Sequence, residues 1–332
     1  MNNKTVSIII PAFNSESYIR DALDSVLNQT YENLEIIVVD DGSTDKTGDV
    51  AEHYAARDQR VHVIHQGNNG SSHARNTGII TSTGEYLFFL DADDWIEASC
   101  IQRMVDYQQT YSADIVCFSH IREYQKKSEK YCVHKRKRIY EKEGTQEFFL
   151  YDMRMVTPWG KLYTRKVIGS TLYDVNMRTA EDVDFNFRIY ENVQKAVYVP
   201  DCLLHYRILP KSAIHGYDPE ILEKFTYTVP VIRERLSLDE TCQKEAYFSF
   251  AAIAYIVVCR NGIALNGKLS FREKKEKIRQ LNLIDWIREL FANVKHVRIP
   301  ITRKALIFFG KFNLDACVLA AIYYKQGLDA GK

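Results

Sequence analysis

Short apolar runs, each ending in polar residues, punctuate the first 120 positions of the chain. Val6–Ile10 is a β-branched run that stops at Pro11, which predicts a buried strand. Tyr18, Ile19, Ala22, Leu23, Val26 and Leu27 then recur at helical spacing, with Asn14 or Ser15 as the expected cap. The same alternation repeats downstream. Leu34–Val39 predicts a strand, Val50–Ala56 a helix and Val61–Gln66 a third strand. "SHARNTGIITSTG" predicts a short helix ending by Gly84, "YLFFL" a fourth strand, Ile96–Tyr107 a helix and Asp114–Phe118 a fifth strand. Strands that are apolar throughout and alternate with helices predict an α/β fold: a Rossmann-like, mostly parallel sheet flanked by helices. Such sheets bind ligands beyond the carboxyl ends of their strands. The polar clusters fall at those ends: "PAFN", "DDGSTD", "NNGSSHARN" and "DADD".

In "LFFLDADDW", Asp91 and Asp93 are two apart and point to one side of an extended segment. Two carboxylates aimed together suit a hard divalent cation that leaves positions open for phosphate oxygens. The alternative is a polar turn in which Asp94 caps the helix expected from Ile96. Asp40 and Asp41 end the second apolar run, where a carboxylate can accept an N–H from a nucleobase or simply build the turn. Arg75 offers a fixed-charge fork for a phosphate or a base carbonyl. Glu181 and Asp182 precede Val183, Phe185, Phe187 and Ile189. They read either as helix N-terminal acids or as a general base. Neither a glycine-rich dinucleotide fingerprint nor a P-loop occurs, so neither of those nucleotide sites is expected.

Composition adds little direction. Lys+Arg 44 against Asp+Glu 43 gives +1, so nothing global points to nucleic acid. His120–Glu143 is locally basic, with "KRKR" at Lys135–Arg138, and reads as a solvated hairpin or loop. Seven scattered cysteines without a C-x-x-C spacing read as reduced thiols, and the start does not read as a signal peptide. No window of 18 uninterrupted apolar residues occurs, so no membrane-spanning helix is expected.

Five segments in order, "SIIIPAFNSESYIRDALDSVLNQTYENLEIIVVDDGSTD", "NGSSHARNTGI", "YLFFLDADDW", "WGKLYTR" and "AEDVDF", resemble glycosyltransferase family 2 from about Val6 to Ile208. The resemblance implies an inverting enzyme with a GT-A fold. It implies a catalytic domain over 1–215, with a nucleotide-binding half at 1–118 and an acceptor half at 119–215, and a helical extension over 216–332. Pro11, Ala12, Phe13 and Asn14 would line the nucleoside of a UDP-sugar donor. Asp40 would accept from uracil, with Asp41 supporting it, and Arg75 would contact base or diphosphate. Asp91 and Ala92 would lie by the ribose, and Asp93, with Asp91, would hold Mn²⁺ or Mg²⁺. Asp182 would be the base, with Glu181 near the acceptor, and Trp159 and Lys161 would shape the donor-sugar or acceptor side. His205, Arg207 or His215 would close on the diphosphate, His215 being carried as a further metal ligand. The acceptor implied is a saccharide, lipid-linked in capsule, exopolysaccharide or O-antigen synthesis, and the enzyme would work in the cytoplasm, at or near the inner membrane face. A sugar nucleotidyltransferase and a catalytically silent sugar-nucleotide-binding protein are the rival readings. The tail from Val294 reads as a hairpin packed on the catalytic domain or a second subunit, or as a basic interfacial helix.

Overall fold

A computed structural model describes residues 4–142, 156–209 and 216–330, except for the side chains of 325–330. The chain forms two compact units, 1–176 with 181–209, and 177–180 with 210–332. The sequence drew its boundary between 215 and 216, whereas the contacts divide the chain between 209 and 210.

The first unit is built on a sheet ordered β3-β2-β1-β4-β9-β6-β10-β5. The strands are β1 (Val6–Ala12), β2 (Leu34–Asp40), β3 (Val61–His65), β4 (Tyr86–Phe89), β5 (Trp95–Ile96), β6 (Ile115–Tyr124), β9 (Lys161–Thr164) and β10 (Lys195–Arg207). Two further strands, β7 (Lys127–Tyr131) and β8 (Arg138–Glu141), pair antiparallel with β6 and β10. Apolar residues fill both faces of the central strands. Val6, Ile8 and Ile10 of β1 belong to one core and Ile9 to another. Helices α1 (Ile19–Leu27), α2 (Thr47–Ala55) and α4 (Cys100–Tyr111) contribute to the first core. The second core takes Ile79 from α3 (Ser71–Thr81) and Phe185 and Ile189 from α5 (Glu181–Tyr190). Burial on both faces is why these strands read as continuous apolar runs instead of alternating ones.

The sheet is mixed. β3, β2, β1 and β4 run parallel, as do β6 and β10. Between the two groups lies β9, antiparallel to both β4 and β6. The cap expected at Asn14 or Ser15 is absent, and so is the cap that Asp94 offered as an alternative reading. α1 starts at Ile19 without a side-chain cap, and α4 starts at Cys100, not Ile96. Asn14 is drawn away because its side-chain oxygen accepts the Thr44 N–H at 2.8 Å. Asp94 is drawn away because its Oδ1 accepts the Arg207 N–H at 2.8 Å, and Trp95–Ile96 pairs with β10 as β5.

The second unit is helical: α6 (Ile221–Arg235), α7 (Thr241–Val257) with a π-helical continuation Val258–Ala264, α8 (Phe271–Leu281), α9 (Asp285–Ala292), α10 (Ile301–Lys311) and α11 (Asp315–Ala330). Thr241–Ala264 is long and apolar enough to cross a bilayer by length and composition, and 72% of its apolar window is buried inside the folded chain. Tyr247, Phe248 and Tyr255 of α7 are buried.

Candidate active site

The parallel strands deliver their polar tips to one edge. The Ala12 carbonyl of β1 accepts the Asp41 N–H at 2.8 Å, which joins the first two tips. Asn14 tightens the junction: it sits at φ 48° and its N–H donates to Ser43 Oγ at 3.0 Å. Phe13 is exposed at the edge, while Ala12 is buried. Asp40 uses both oxygens on protein groups, accepting from Ser43 N–H at 3.1 Å and facing His65 Nδ1 at 2.9 Å. That contact, with Glu52 on the other ring nitrogen, raises the His65 pKa. Asp41 accepts from Gln66 Nε2 (2.7 Å), Asn69 N–H (3.1 Å) and Gly70 N–H (2.7 Å), and so shapes the loop leading into α3.

After β4 the chain turns sharply, with the Asp94 N–H donating to the Asp91 carbonyl at 3.0 Å. The turn brings Asp91, Asp93 and Asp94 together, with Ala92 buried in the core between them. Burial and the neighbouring Asp91 charge push the Asp93 carboxyl up to about 6. Asp94 is fully buried, and burial drives its carboxyl far above the usual range. Its Oδ2 has no partner among the described residues. β10 pins this turn from the side. Arg207 Nε donates to the Asp93 carbonyl at 2.8 Å and Nη2 to Asp21 at 2.6 Å, and the guanidinium lies over the Trp95 and Tyr18 rings at 4.6 and 5.0 Å. His205 stacks on Trp95 at 4.8 Å and bridges Glu97 and Glu123. Arg207 and His205 therefore hold the turn and its flank. His215 lies outside the described residues.

Arg75 of α3 is the centre of the charge arrangement. It is buried, and its guanidinium contacts Asp91 at 3.1 Å, Asp182 at 3.4 Å and Glu181 at 3.7 Å. It also lies over the Tyr173 ring at 5.4 Å. Burial alone would lower its pKa; the acids around it outweigh that and raise it. So Arg75 is turned onto carboxylates. A buried cation among three acids is bound where the charge is.

Glu181 and Asp182 open α5, and Glu181 also accepts from Ser71 Oγ at 3.4 Å. Asp182 has its carboxyl pushed up to about 7, first by burial and further by Glu181 and Asp91, with Arg75 opposing. Asn186, buried one turn along, fixes this helix start by donating to the carbonyls of Asp182 (2.8 Å) and Val156 (2.6 Å). Asp184 is spent on Arg188 at 2.7 Å.

On β9, Lys161 is buried and its amine donates to the Thr157 carbonyl, so it braces the loop before the strand. Trp159 stacks on Tyr206 at 5.2 Å, with His120 edge-on at 5.0 Å. Sequence reasoning missed Tyr173, Asn76, Asn186 and Tyr206. Asn76 exchanges two hydrogen bonds with the Tyr173 backbone, at 2.9 and 2.7 Å, and so sets the ring beneath Arg75. Its place next to Arg75 in "ARN" was the one available signal. Tyr206 lies close enough to Asp94, Asp91 and Asp93 that burial and their charges push its hydroxyl up to about 12.

The family model for glycosyl transferase family 2 matches residues 7–171. EpsJ of Bacillus subtilis (strain 168), described as an uncharacterized glycosyltransferase, is 31% identical over 97% of this chain and 96% of its own length. EpsH of the same organism, also named as a glycosyltransferase, is 34% identical over 99% of this chain and 98% of its own. The chain belongs to glycosyl transferase family 2. Among solved structures, S. aureus TarS 1-349 in complex with UDP-GlcNAc superposes with a TM-score of 0.71 at 19% identity, covering 97% of this chain and 92% of that one. The fold is thus that of glycosyltransferases of this type: a mixed α/β core on one large sheet flanked by helices.

A family 2 enzyme that uses a divalent cation needs carboxylates left free to take it. Asp93 meets that test, since its carboxylate has no side-chain partner among the described residues and is held next to Asp91 at a cost in ionisation. No group of three or more His, Cys, Asp or Glu able to hold a metal occurs among the described residues. One or two carboxylates plus phosphate oxygens and water form the usual shell of a hard cation bound with a nucleotide. A cavity of about 590 Å³ lined by Lys4, Glu85, Tyr86 and Arg165 lies at the opposite edge of the sheet and carries none of these residues.

Proposed function

We propose that this glycosyltransferase transfers a hexose or N-acetylhexosamine from a UDP-sugar to a saccharide acceptor by a single displacement that inverts the anomeric centre. The observation that carries the reading is Asp182: a carboxyl with a pKa pushed up to about 7, beside Glu181 and within reach of Arg75, which also bonds Asp91 of the "DADD" turn. A base poised near neutrality can accept the proton of an attacking hydroxyl. Arg75 keeps Asp182 ionised and oriented, and Glu181 lies on the acceptor side. Pro11, Ala12 and Phe13, together with Asp40 and Asp41, form the nucleoside edge. Trp159 and Lys161 shape the saccharide side.

Asp93 and Asp91 would hold Mn²⁺ or Mg²⁺, which when bound offsets charge developing on the departing diphosphate. The uridine donor is supported by TarS, solved with UDP-GlcNAc. The acceptor we favour is a lipid-linked saccharide in the assembly of capsule, exopolysaccharide or O-antigen. The test is a donor panel of UDP-Glc, UDP-Gal, UDP-GlcNAc and UDP-GalNAc with and without Mn²⁺, scored by UDP release and by the anomeric configuration of the product. Metal-independent release, or a retained configuration, overturns the mechanism. UDP-sugar binding without turnover, in the presence of acceptors, would instead make the chain a silent binder.

A further inference from the structure

Two of the scattered cysteines meet in the folded chain. Cys132 directly follows β7 and Cys202 lies in β10, 70 positions further on, yet their sulfurs stand 3.6 Å apart. Cys132 is exposed and Cys202 partly buried. Both sulfurs also face one backbone carbonyl, that of Pro200, at 3.6 and 3.9 Å. With no C-x-x-C spacing, the sequence reads all seven cysteines as reduced thiols, and this pair is legible only in the fold.

The strand order makes the pair. β7 pairs with β6 and β8 with β10, so the segment between them passes from one strand to the other. Tyr198 of β10 catches that segment. Its hydroxyl accepts the N–H groups of Val133 and His134 at 2.9 and 3.1 Å, and bonds Ser119 Oγ of β6 at 2.5 Å. Cys132 is thereby laid against β10 where that strand is irregular: its register against β6 shifts on either side of Cys202. A bulged strand bends and carries residues without ladder partners, so the backbone at Cys202 can follow its sulfur. The two sulfurs have to close by about 1.5 Å to bond.

We propose that Cys132 and Cys202 are a modification site, which a small-molecule disulfide converts into a reversible intramolecular disulfide. The Cys132 thiolate attacks one sulfur of the oxidant, whose S–S bond breaks and releases one thiol. Cys202 then attacks Cys132 Sγ in the mixed disulfide, and the second oxidant thiol leaves. The protein thiols give up two electrons and two protons, and the oxidant takes up both as it becomes two thiols. Exposure sets the order. Burial, with Cys132 beside it, pushes the Cys202 thiol up to about 11, so little of it is thiolate at neutral pH. Once Cys132 carries the mixed disulfide, closeness compensates for that. The loop so closed contains Lys161, Glu181 and Asp182. Just beyond Cys202, the Leu203 carbonyl accepts the Glu97 N–H at 2.9 Å, and Arg207 holds the Asp93 carbonyl. The bond therefore ties the segment bearing Asp182 to the strand that steadies the aspartate turn. The site does not depend on the donor chemistry proposed above.

The full-length protein is incubated with glutathione disulfide, quenched with iodoacetamide and mapped by mass spectrometry. The native chain should give a Cys132–Cys202 link that dithiothreitol removes, while exposed Cys317 should end as the mixed disulfide. Cys202→Ser should stop the reaction at glutathionylated Cys132. Cys132→Ser should leave Cys202 about ten-fold or more slower to react than Cys132 is in the other variant. Circular dichroism checks that both variants fold. The link should raise the thermal transition by several degrees, because it closes a long loop in the unfolded chain. Separate mixed disulfides at Cys132 and Cys202, no reaction at either, or a link that forms as fast in urea as in native buffer overturns the proposal. So does a linked protein that melts below the reduced one, since the bond would then work against the fold.

Discussion

Asp93 illustrates how a single side chain can be held at odds with stability. Its carboxyl is pushed up to about 6 in the folded chain from an ordinary 3.8, because burial and Asp91 disfavour the charge. Below pH 4 the proton is bound in both states and nothing is lost. As pH rises from 4 to 6 the unfolded chain ionises first, so stability falls and the loss is complete above the folded pKa. The shift amounts to roughly 3 kcal/mol at neutral pH. Asp93→Asn should therefore flatten the fall in melting temperature between pH 4 and 6 and raise stability at pH 7, while removing any stabilisation by Mn²⁺. Thermal melts across pH, with and without Mn²⁺, check both halves, and an unaltered pH profile would mean Asp93 is not the strained group.

Asp182 makes a kinetic counterpart. The ionised base is needed, so kcat/KM should rise with pH towards 7 and then level. Asp182→Asn should keep donor binding and lose about 10²–10⁴-fold in transfer. Arg75 opposes the upward shift, so Arg75→Met should move the rising limb to higher pH. A limb that stays in place would separate Arg75 from the base.

Among the elements, α3 depends on closeness to β1. A Cβ on Gly78 would lie 2.3 Å from Ile9 Cγ2, far inside contact distance. On helix propensity alone Gly78→Ala should add about 1 kcal/mol. Overpacking costs about 1–3 kcal/mol and should win, because Ile9 sits in a filled core. Urea denaturation should show a lower midpoint, and a higher one would mean that α3 can shift away at little cost. A displaced α3 would also carry Arg75 from its acids, so turnover should fall with stability.

Elements were legible to different degrees. The stripe Ile19, Ala22, Leu23 and Val26 is buried as its spacing demanded. β9 is the opposite case. "KLYT" is short, and an apolar strand buried on both faces reads alike whichever way it runs, so its insertion antiparallel between β4 and β6 had no local signature. Neither Asn14 nor Asp94 caps a helix, for a related reason: each side chain serves a segment remote in sequence, Thr44 and Arg207.

At the scale of the whole chain, the donor and the cation should act together. Ligands that bind only the folded state stabilise it by RT ln(1 + [L]/Kd), about 2.7 kcal/mol at a hundred-fold excess. UDP with Mn²⁺ should shift a thermal transition upward by more than the sum of either alone, since the Asp91–Asp93 pair supplies too few ligands to hold a cation without phosphate oxygens. Additive shifts would show that cation and nucleotide bind apart. The transition to follow is that of the unit formed by 1–176 and 181–209, which contains all of these carboxylates.

The order of apolar runs and polar tips was enough, by itself, to determine the α/β class and to bring forward Asp91 and Asp93 as candidates, while Glu181 and Asp182 came from the acids that precede the apolar-rich segment at Val183. These are consequences of nearest-neighbour rules: a strand buried on both faces must be apolar, and its end is where polar groups can emerge. What those groups touch was decided only by the fold. Arg75 is separated from Glu181 and Asp182 by more than a hundred positions, and Arg207 from Asp93 by 114, yet each meets its partner through a side-chain bond. A buried charge takes whichever opposite charge the packing brings within reach, and packing is set by the whole core. The sequence could therefore name these acids as candidates, but not that one arginine binds three of them while another holds the Asp91–Asp94 turn in place.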